Sequence, residues 1–315
     1  MGTVFSLYQQ SFPPKPRWLV KDIPDQTGKV VLITGGNTGL GLETAKALIA
    51  KNAKVYITSR DEQRGSDAID ELKRTSNNAE VFLIQCDLSD LRSVKAAAEN
   101  FLSKETQLHI LFNNAGIMFP PMSELTKQGQ DLQFGVNVIG HYYLTKLLLP
   151  AMLATVSNET GGKARVVNTS SSAMLLAPSG GINYDTLVDG PARRKFDNVK
   201  LYQQAKAGTV IFSTELARRY GDRGIVSISL NPGNIRTGIQ RYVVGLQAKI
   251  LDFVLYDKAV GVLTQLFAGT APEAEDLNGK YLIPFARVGS ARKDLLDASA
   301  GVKLWDWLEA QTQGV

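Results

Sequence analysis

Cysteine and histidine are nearly missing from this 315-residue chain: Cys86 is its one thiol, and His109 and His141 are its two imidazoles. A single cysteine makes no internal disulfide, and one thiol with two imidazoles falls short of the usual zinc-ligand sets, so no metal site is expected. No apolar run reaches the roughly eighteen residues of a membrane span, so no transmembrane helix is expected. Met1 to Arg17 lacks the charged start and long apolar stretch of a secretory signal. Charge of one sign is also lacking: 35 Lys and Arg stand against 30 Asp and Glu, a formal net charge of +5. With no basic run either, nucleic acid is not an expected partner. No Gly-x-Ser-x-Gly elbow occurs, which sets aside a hydrolase of that kind. The scarcity of cysteine suits a reducing, cytoplasmic setting.

What is present is the composition of a folded chain, 44% hydrophobic and 21% charged, which excludes wholesale disorder. Met1-Gly2-Thr3-Val4-Phe5-Ser6 fits the acceptor pattern for N-terminal myristoylation, although a plain unmodified arm is the simpler reading. One acyl chain on Gly2 would give only weak, peripheral membrane association. Pro13, Pro14 and Pro16 argue for an extended arm over residues 1–27. Residues 28–315 are then expected to form one domain.

From Lys29 onward, short apolar runs alternate with segments of helical spacing. Strands are expected at Lys29–Thr34, Val55–Ser59, Val81–Gln85, Leu108–Phe112, Ala164–Asn168, Ile225–Leu230 and Tyr281–Ile283. Helices are expected at Leu40–Lys51, Glu62–Thr75, Leu91–Lys104, through Tyr142 and Leu149, and at Leu201–Tyr220. Fully apolar strands alternating with helices predict an α/β fold, a doubly wound sheet of about seven parallel strands with helices on both faces. Ligands in such a sheet sit beyond the carboxyl ends of the strands, near the point where strand order reverses.

The first strand runs into Thr34-Gly35-Gly36-Asn37-Thr38-Gly39-Leu40-Gly41. Glycines allow a sharp turn and a close approach to a pyrophosphate at the next helix N-terminus; the competing reading is a tight connection only. The second strand ends at Ser59-Arg60-Asp61. An acidic residue there would hold the ribose hydroxyls of NAD, whereas a serine beside a guanidinium admits a 2′-phosphate, so NADPH is favoured over NADH. Arg60 as a solvated charge and Asp61 as a helix cap is the plainer alternative. Asp87, next to Leu88, stands where it could accept from an adenine amine or simply serve the loop.

Tyr202 and Lys206 stand at i and i+4, on one face of a predicted helix. A phenol with a pKa near 10 is a poor proton carrier at neutral pH, and a neighbouring ammonium favours its ionised form. Tyr142 and Lys146 show the same spacing, where an ordinary helix face is expected. The Tyr202 pair differs in following a strand that ends Asn168-Thr169-Ser170-Ser171-Ser172. A serine there can hydrogen-bond an oxygen that gains charge; strand-end capping is the alternative for at least two of the three.

In these ordered segments the chain resembles the short-chain dehydrogenase/reductase family, over roughly residues 28–270. Thr34 through Gly41 is similar to the family's T-G-x-x-x-G-x-G turn, and Asn113-Asn114-Ala115-Gly116 to its N-N-A-G segment. Asn37-Thr38, Gly135-Val136-Asn137 and Leu304-Trp305-Asp306-Trp307-Leu308 resemble retinol-dehydrogenase-like and related fungal members. The resemblance implies that Tyr202 is the general acid or base, Ser171 holds the substrate oxygen, Lys206 binds the nicotinamide ribose, and Asn137 positions a water. It implies cofactor contacts from Gly35, Asn37, Thr38, Gly39, Leu40, Gly41, Arg60, Asp87, Leu88, Asn114, Ala115 and Gly116. Pro232, Gly233, Ile235 and Thr237 would form the loop at the nicotinamide. It also implies homodimers through the helices carrying Tyr142 and Tyr202.

Two departures stand out: Ala205 precedes Lys206 where relatives often have serine, and the stretch from Ser171 to Tyr202 is long, reading as a surface excursion. A lid is expected over about 238–270, where Tyr242, Val243, Val244, Leu251, Phe253 and Leu255 suit a lipophilic carbonyl or alcohol substrate or, equally, core packing. His109 and His141 read as structural. The expected activity is hydride transfer with NADPH/NADP+; a non-catalytic dinucleotide-binding regulator on the same fold is the rival, which loss of Tyr or Lys from the pair would have favoured.

Overall fold

The computed structural model describes residues 3–76, 79–158, 162–235 and 255–315. β1 (Val30–Ile33), β2 (Lys54–Ser59), β3 (Val81–Gln85), β4 (Ile110–Asn113), β5 (Ala164–Thr169), β6 (Ile225–Leu230) and β7 (Tyr281–Ile283) run parallel. β8 (Arg287–Gly289) pairs antiparallel with β7, so the sheet has eight strands, in the order β3-β2-β1-β4-β5-β6-β7-β8. The additional strand is too short, and too polar at Arg287, to announce itself as an apolar run. Strand order reverses between β1 and β4, where Val31 is in register with both Val55 of β2 and Ile110 of β4. The crevice for ligands opens above that point.

The main helices are α1 (Thr3–Ser11), α2 (Gly39–Ile49), α3 (Glu62–Lys73), α4 (Leu91–Leu102), α5 (Gly140–Asn158), α6 (Asn198–Tyr220), α7 (Leu263–Thr270) and α8 (Ala298–Thr312). β1, β4 and β6 are buried along every residue because helices cover both faces. Val31 and Ile33 point to the layer holding Leu48 of α2, Leu72 of α3 and Leu266 of α7. Leu32, one residue out of phase, points to the layer holding Phe101 of α4, Leu148 of α5, Ile211 of α6 and Leu308 of α8. Aspartates start the helices: Asp61 accepts from the Arg64 amide, Asp90 from Arg92 and Asp197 from Lys200. Each such cap stabilises its helix by about 1 kcal/mol.

The expectation of an extended arm over residues 1–27 needs correction, because Thr3–Ser11 is helical. The prolines end that helix at Ser11 but do not reach back into it. Leu7 packs on the core and Gln10 is buried, so docking holds a segment too short to be helical alone.

The excursion between Ser171 and Tyr202 is also more than surface. Met174, Leu175, Thr186 and Leu187 are buried, and Arg193 is 3% exposed. Its guanidinium meets the Asp131 carboxylate with Nε and Nη2 both at 3.0 Å, and Nη1 donates to the Met122 carbonyl at 2.7 Å. Asp131 in turn caps the helical turn Leu132–Phe134 through the Phe134 amide at 2.9 Å. Burial pushes the Asp131 carboxyl up, and the Arg193 charge pulls it back down.

Tyr142 and Lys146 form a structural pair, as expected. The Tyr142 hydroxyl donates to Glu309 of α8 at 2.5 Å, and Lys146 Nζ lies 2.7 Å from the same carboxylate. Trp305 of α8 packs edge-on against Tyr142 at 5.2 Å and lies over Phe212 of α6 at 6.3 Å. The chain's own C-terminal helix therefore covers the face of α5 and α6 that carries Tyr142 and Phe212. Among the described residues, no helix is long and apolar enough to cross a membrane. Gly2 lies outside them.

Candidate active site

β1 delivers Thr34 to the start of a turn in which Gly35 (φ +64°) and Gly39 (φ +60°) occupy the left-handed region. At Gly41 a β-carbon would stand 2.4 Å from the Gly35 carbonyl oxygen and 2.7 Å from Asn114 Nδ2, so the first turn of α2 is pressed onto the glycine turn. Thr38, at the N-cap of α2, makes no side-chain capping bond. The opening amides and the positive end of the helix dipole are left facing a cavity of about 550 Å³, lined here by Gly35, Asn37, Thr38, Gly39 and Leu40. Gly41 does not line it; its part is the close approach. These residues fit the pyrophosphate of a dinucleotide.

At the end of β2, Ser59 is buried and its hydroxyl donates to the Asp61 carbonyl at 2.7 Å. Arg60 is exposed and borders the cavity. Arg64, from the first turn of α3, borders it as well. No motif marks this second guanidinium in the sequence, since Arg60 lies before the α3 cap and helical spacing does not link the two. Asp61 is occupied as the α3 cap. Asp87 and Leu88 follow β3 along the same wall. One Asp87 oxygen accepts from the Ser89 amide at 2.9 Å and the Ser89 hydroxyl at 2.7 Å, so the loop role is filled.

On the other side of the switch point, Asn114, Ala115 and Gly116 line the cavity beyond β4. Thr34 holds them: its Oγ1 accepts the amides of Asn114 and Ala115, both at 2.9 Å. The same hydroxyl lies 2.9 Å from His141 Nε2, while His141 Nδ1 lies 3.1 Å from the Asn137 carbonyl. Burial pushes the His141 imidazole down to about 4, so it is neutral, donating from Nδ1 and accepting from Thr34 at Nε2. His141 is structural, as expected, yet it steadies the site through Thr34, whose role no sequence signal marks.

Asn137 sits in a wide π turn, Gly135–Ile139, just before α5. Its side-chain oxygen accepts from the Ile117 amide at 3.1 Å and its amide donates to the Ile117 carbonyl at 3.0 Å. Both polar atoms of the side chain are thus engaged in fixing the chain after Gly116. Among the described residues lining the cavity, Asn137 is not included.

Ser171, Tyr202 and Lys206 converge on the same cavity, from just after β5 and from α6. The Ser171 hydroxyl accepts from the Ala173 amide at 3.2 Å and favours ionisation of the Tyr202 phenol beside it. Ser170 is spoken for, donating to the Lys206 carbonyl at 2.7 Å. Lys206 Nζ lies 5.7 Å from the centre of the Tyr202 ring and donates to the Thr169 carbonyl at 2.9 Å. Burial pushes the Tyr202 phenol up to about 12, with Ser171 opposing, and pushes the Lys206 ammonium down to about 8. The expected depression of the phenol by Lys206 is therefore corrected: burial raises it, Ser171 is what opposes, and the Lys206 hydrogen bond is aimed at Thr169. Phe119, at a left-handed φ of +57°, sets its ring edge-on to Tyr202 at 5.5 Å. Pro232, Gly233 and Ile235 close the rim beyond β6, and Thr237 lies outside the described residues.

The sequence profile of the short chain dehydrogenases matches residues 29–186. The chain belongs to that family. A short-chain dehydrogenase/reductase of Armillaria gallica is 54% identical over 311 residues, 99% of each chain. Retinol dehydrogenase 12 of Mus musculus is 38% identical over 256 residues, 81% of this chain and 77% of that protein. Among solved structures, 3-ketoacyl-(acyl-carrier-protein) reductase from Brucella melitensis, in complex with NADH, superposes with a TM-score of 0.61 at 26% identity, covering 82% of this chain and 96% of that one. This short-chain dehydrogenase is an oxidoreductase, in a family whose cofactors are nicotinamide dinucleotides.

Proposed function

We propose that this short-chain dehydrogenase transfers hydride between NADP(H) and a lipophilic carbonyl or alcohol, with Tyr202 as the general acid or base. The observation that carries the reading is the meeting of the Tyr202 phenol, Ser171 hydroxyl and Lys206 ammonium in the cavity that also holds the glycine turn. A bound nicotinamide supplies or accepts the hydride. Tyr202, protonated at neutral pH, donates its proton to the oxygen of a carbonyl. Ser171 hydrogen-bonds that oxygen as charge grows on it. Lys206 holds the nicotinamide ribose and a positive charge beside it, and Asn137 fixes Ile117 at the cavity wall. A phenol kept protonated suits reduction better than alcohol oxidation.

Ile117, Met118, Leu125, Val136 and Leu255 line the same cavity as Tyr202 and support an apolar substrate. The rest of the expected lid, 238–254, falls outside the described residues. NADPH oxidation against a panel of aldehydes, ketones and quinones, with NADH alongside, tests the reading; no turnover with any of them would sink it.

Cofactor choice rests on Ser59 and on the cavity-facing Arg60 and Arg64. A hydrogen bond to a charged group contributes about 1.5–3 kcal/mol, so Arg60→Ala should raise the NADPH Kd by about 10–100-fold. NADH affinity should move less than about twofold, and titration of both cofactors checks it. Equal loss would defeat the 2′-phosphate assignment.

Lys206 also sets a pH dependence. Its folded pKa is depressed to about 8, so the ammonium is present below pH 8 and lost above. kcat/KM for carbonyl reduction should fall as pH rises through about 8, and Lys206→Arg should remove that break. Stability moves the other way. Between about 8 and 10.5 the unfolded lysine keeps a proton that the folded one has released, so this residue's contribution to stability rises with pH across that window.

A further inference from the structure

Helix α1 ends against the loop that follows β6. Gln10, near its C-terminus, is 1% exposed. Its Oε1 accepts from Asn231 Nδ2 at 2.9 Å and from the Tyr281 hydroxyl at 3.2 Å, while Nε2 donates to Ser6 Oγ at 3.1 Å. Asn231 is fixed at both ends, since its Oδ1 accepts the Gly233 amide at 3.0 Å and its own amide donates to the Leu282 carbonyl at 2.9 Å. Two main-chain carbonyls at the end of α1 are held by the same region. Arg287 Nη2 donates to Gln9 O at 3.1 Å, and the Tyr256 hydroxyl to Ser11 O at 3.3 Å. Tyr256 in turn donates its amide to the Asn234 carbonyl at 2.7 Å. The loop Asn231–Ile235 is thus tied to the N-terminal helix at both its ends.

We infer that Gln10 is a positioning residue for the cofactor: it sets Asn231, and through Asn231 the Gly233 amide, at the rim where the nicotinamide is proposed to lie. This rests on the reading of that loop as the nicotinamide contact. A buried amide that served only to fill space would cost free energy unless paired, and this one spends its whole acceptor capacity on Asn231, just past β6, and Tyr281 of β7. Without the Gln10 oxygen, the buried Asn231 Nδ2 and Tyr281 hydroxyl lose the acceptor they share, and the loop must shift to pair them. The pyrophosphate end of the cavity, built from β1 and α2, does not touch α1 through any of these bonds.

The test separates the two ends of the cofactor. Gln10→Met matches the side chain in volume and removes the acceptor. It should raise the NADPH Kd about tenfold, while 2′-phospho-ADP-ribose, which is NADPH without its nicotinamide, binds within about twofold of wild type. Gln10→Glu keeps an oxygen for both donors, and the Ser6 hydroxyl can turn to donate, so it should recover most of the lost affinity. NADPH affinity unchanged in Gln10→Met, equal loss of both ligands, or no recovery in Gln10→Glu would each overturn the proposal and leave the cofactor reading standing. Wild-type protein that binds neither ligand would overturn both. Should Gln10→Met fail to fold, Gln10→Asn, one methylene shorter, is expected to show the same selective loss, and its absence would overturn the proposal.

Discussion

Tyr202→Phe is expected to bind NADPH within about twofold of wild type and to lose about 10²–10⁴-fold in kcat, the contribution of a positioned acid–base group. The substitution removes one oxygen and leaves the ring. That ring keeps its edge contact with Phe119, and Lys206 keeps its bond to the Thr169 carbonyl. Ser171 stays at the cavity wall, half-buried and able to meet substrate. The drop should therefore fall on the proton-transfer step and not on cofactor binding. Single-turnover oxidation of prebound NADPH, compared with equilibrium titration, tells the two apart. Full turnover in Tyr202→Phe would remove the phenol from the mechanism, and the non-catalytic dinucleotide-binding reading would return.

Arg193→Met should be the most damaging single change to stability away from the cavity, by about 3–5 kcal/mol. Asp131 is 1% exposed and Arg193 3% exposed, so the variant leaves a carboxylate buried without its countercharge. Its upward push from burial then acts unopposed by Arg193. The sign follows: a carboxyl with a raised folded pKa favours the protonated state in the fold, so the deficit should shrink as pH falls. Asp131→Asn in the Arg193→Met background should recover part of the loss by removing the charge while keeping an oxygen for the Phe134 amide. Urea unfolding at pH 7 and at pH 5 measures both effects. A deficit below about 1 kcal/mol, or one that grows in acid, would count against the buried pair as the clasp of the Ser171–Tyr202 excursion.

Much of this fold is legible in the sequence because the strands are apolar on both sides and end in recognisable turns. Val30–Ile33 and Ile225–Leu230 sit within one residue of where their apolar runs place them. The Tyr202 cluster was legible for a different reason, since its spacing is ambiguous alone and the order of motifs around it removes the ambiguity. What could not be read is held by contacts between distant segments. α1 buries Gln10 and half-buries Ser6, Leu7 and Gln9, while Val4, Phe5 and Tyr8 are exposed, so its pattern is not that of an amphipathic helix with an apolar inner face. Gln10 and Thr34 matter through partners more than a hundred residues away in the first case and about eighty in the second, as with Asn231 and Ala115. Arg193 lies in a basic triplet that reads as solvated surface, and only the buried Asp131 shows otherwise. The upward shift of Tyr202 likewise depends on how deeply it is enclosed, which side-chain spacing does not express.

The wide turn at Gly135–Ile139, where the Gly140 amide reaches back to the Gly135 carbonyl, has a consequence for insertions and deletions. Each residue advances a helix by about 100°. Removing any one residue from that turn would permit ordinary winding, but it would swing everything from Gly140 onward by nearly a third of a revolution relative to Phe134. Tyr142, Leu144 and Leu148 would rotate away from the apolar layer they fill, and His141 from Thr34. The segment can therefore exchange side chains over evolutionary time far more readily than it can change its length.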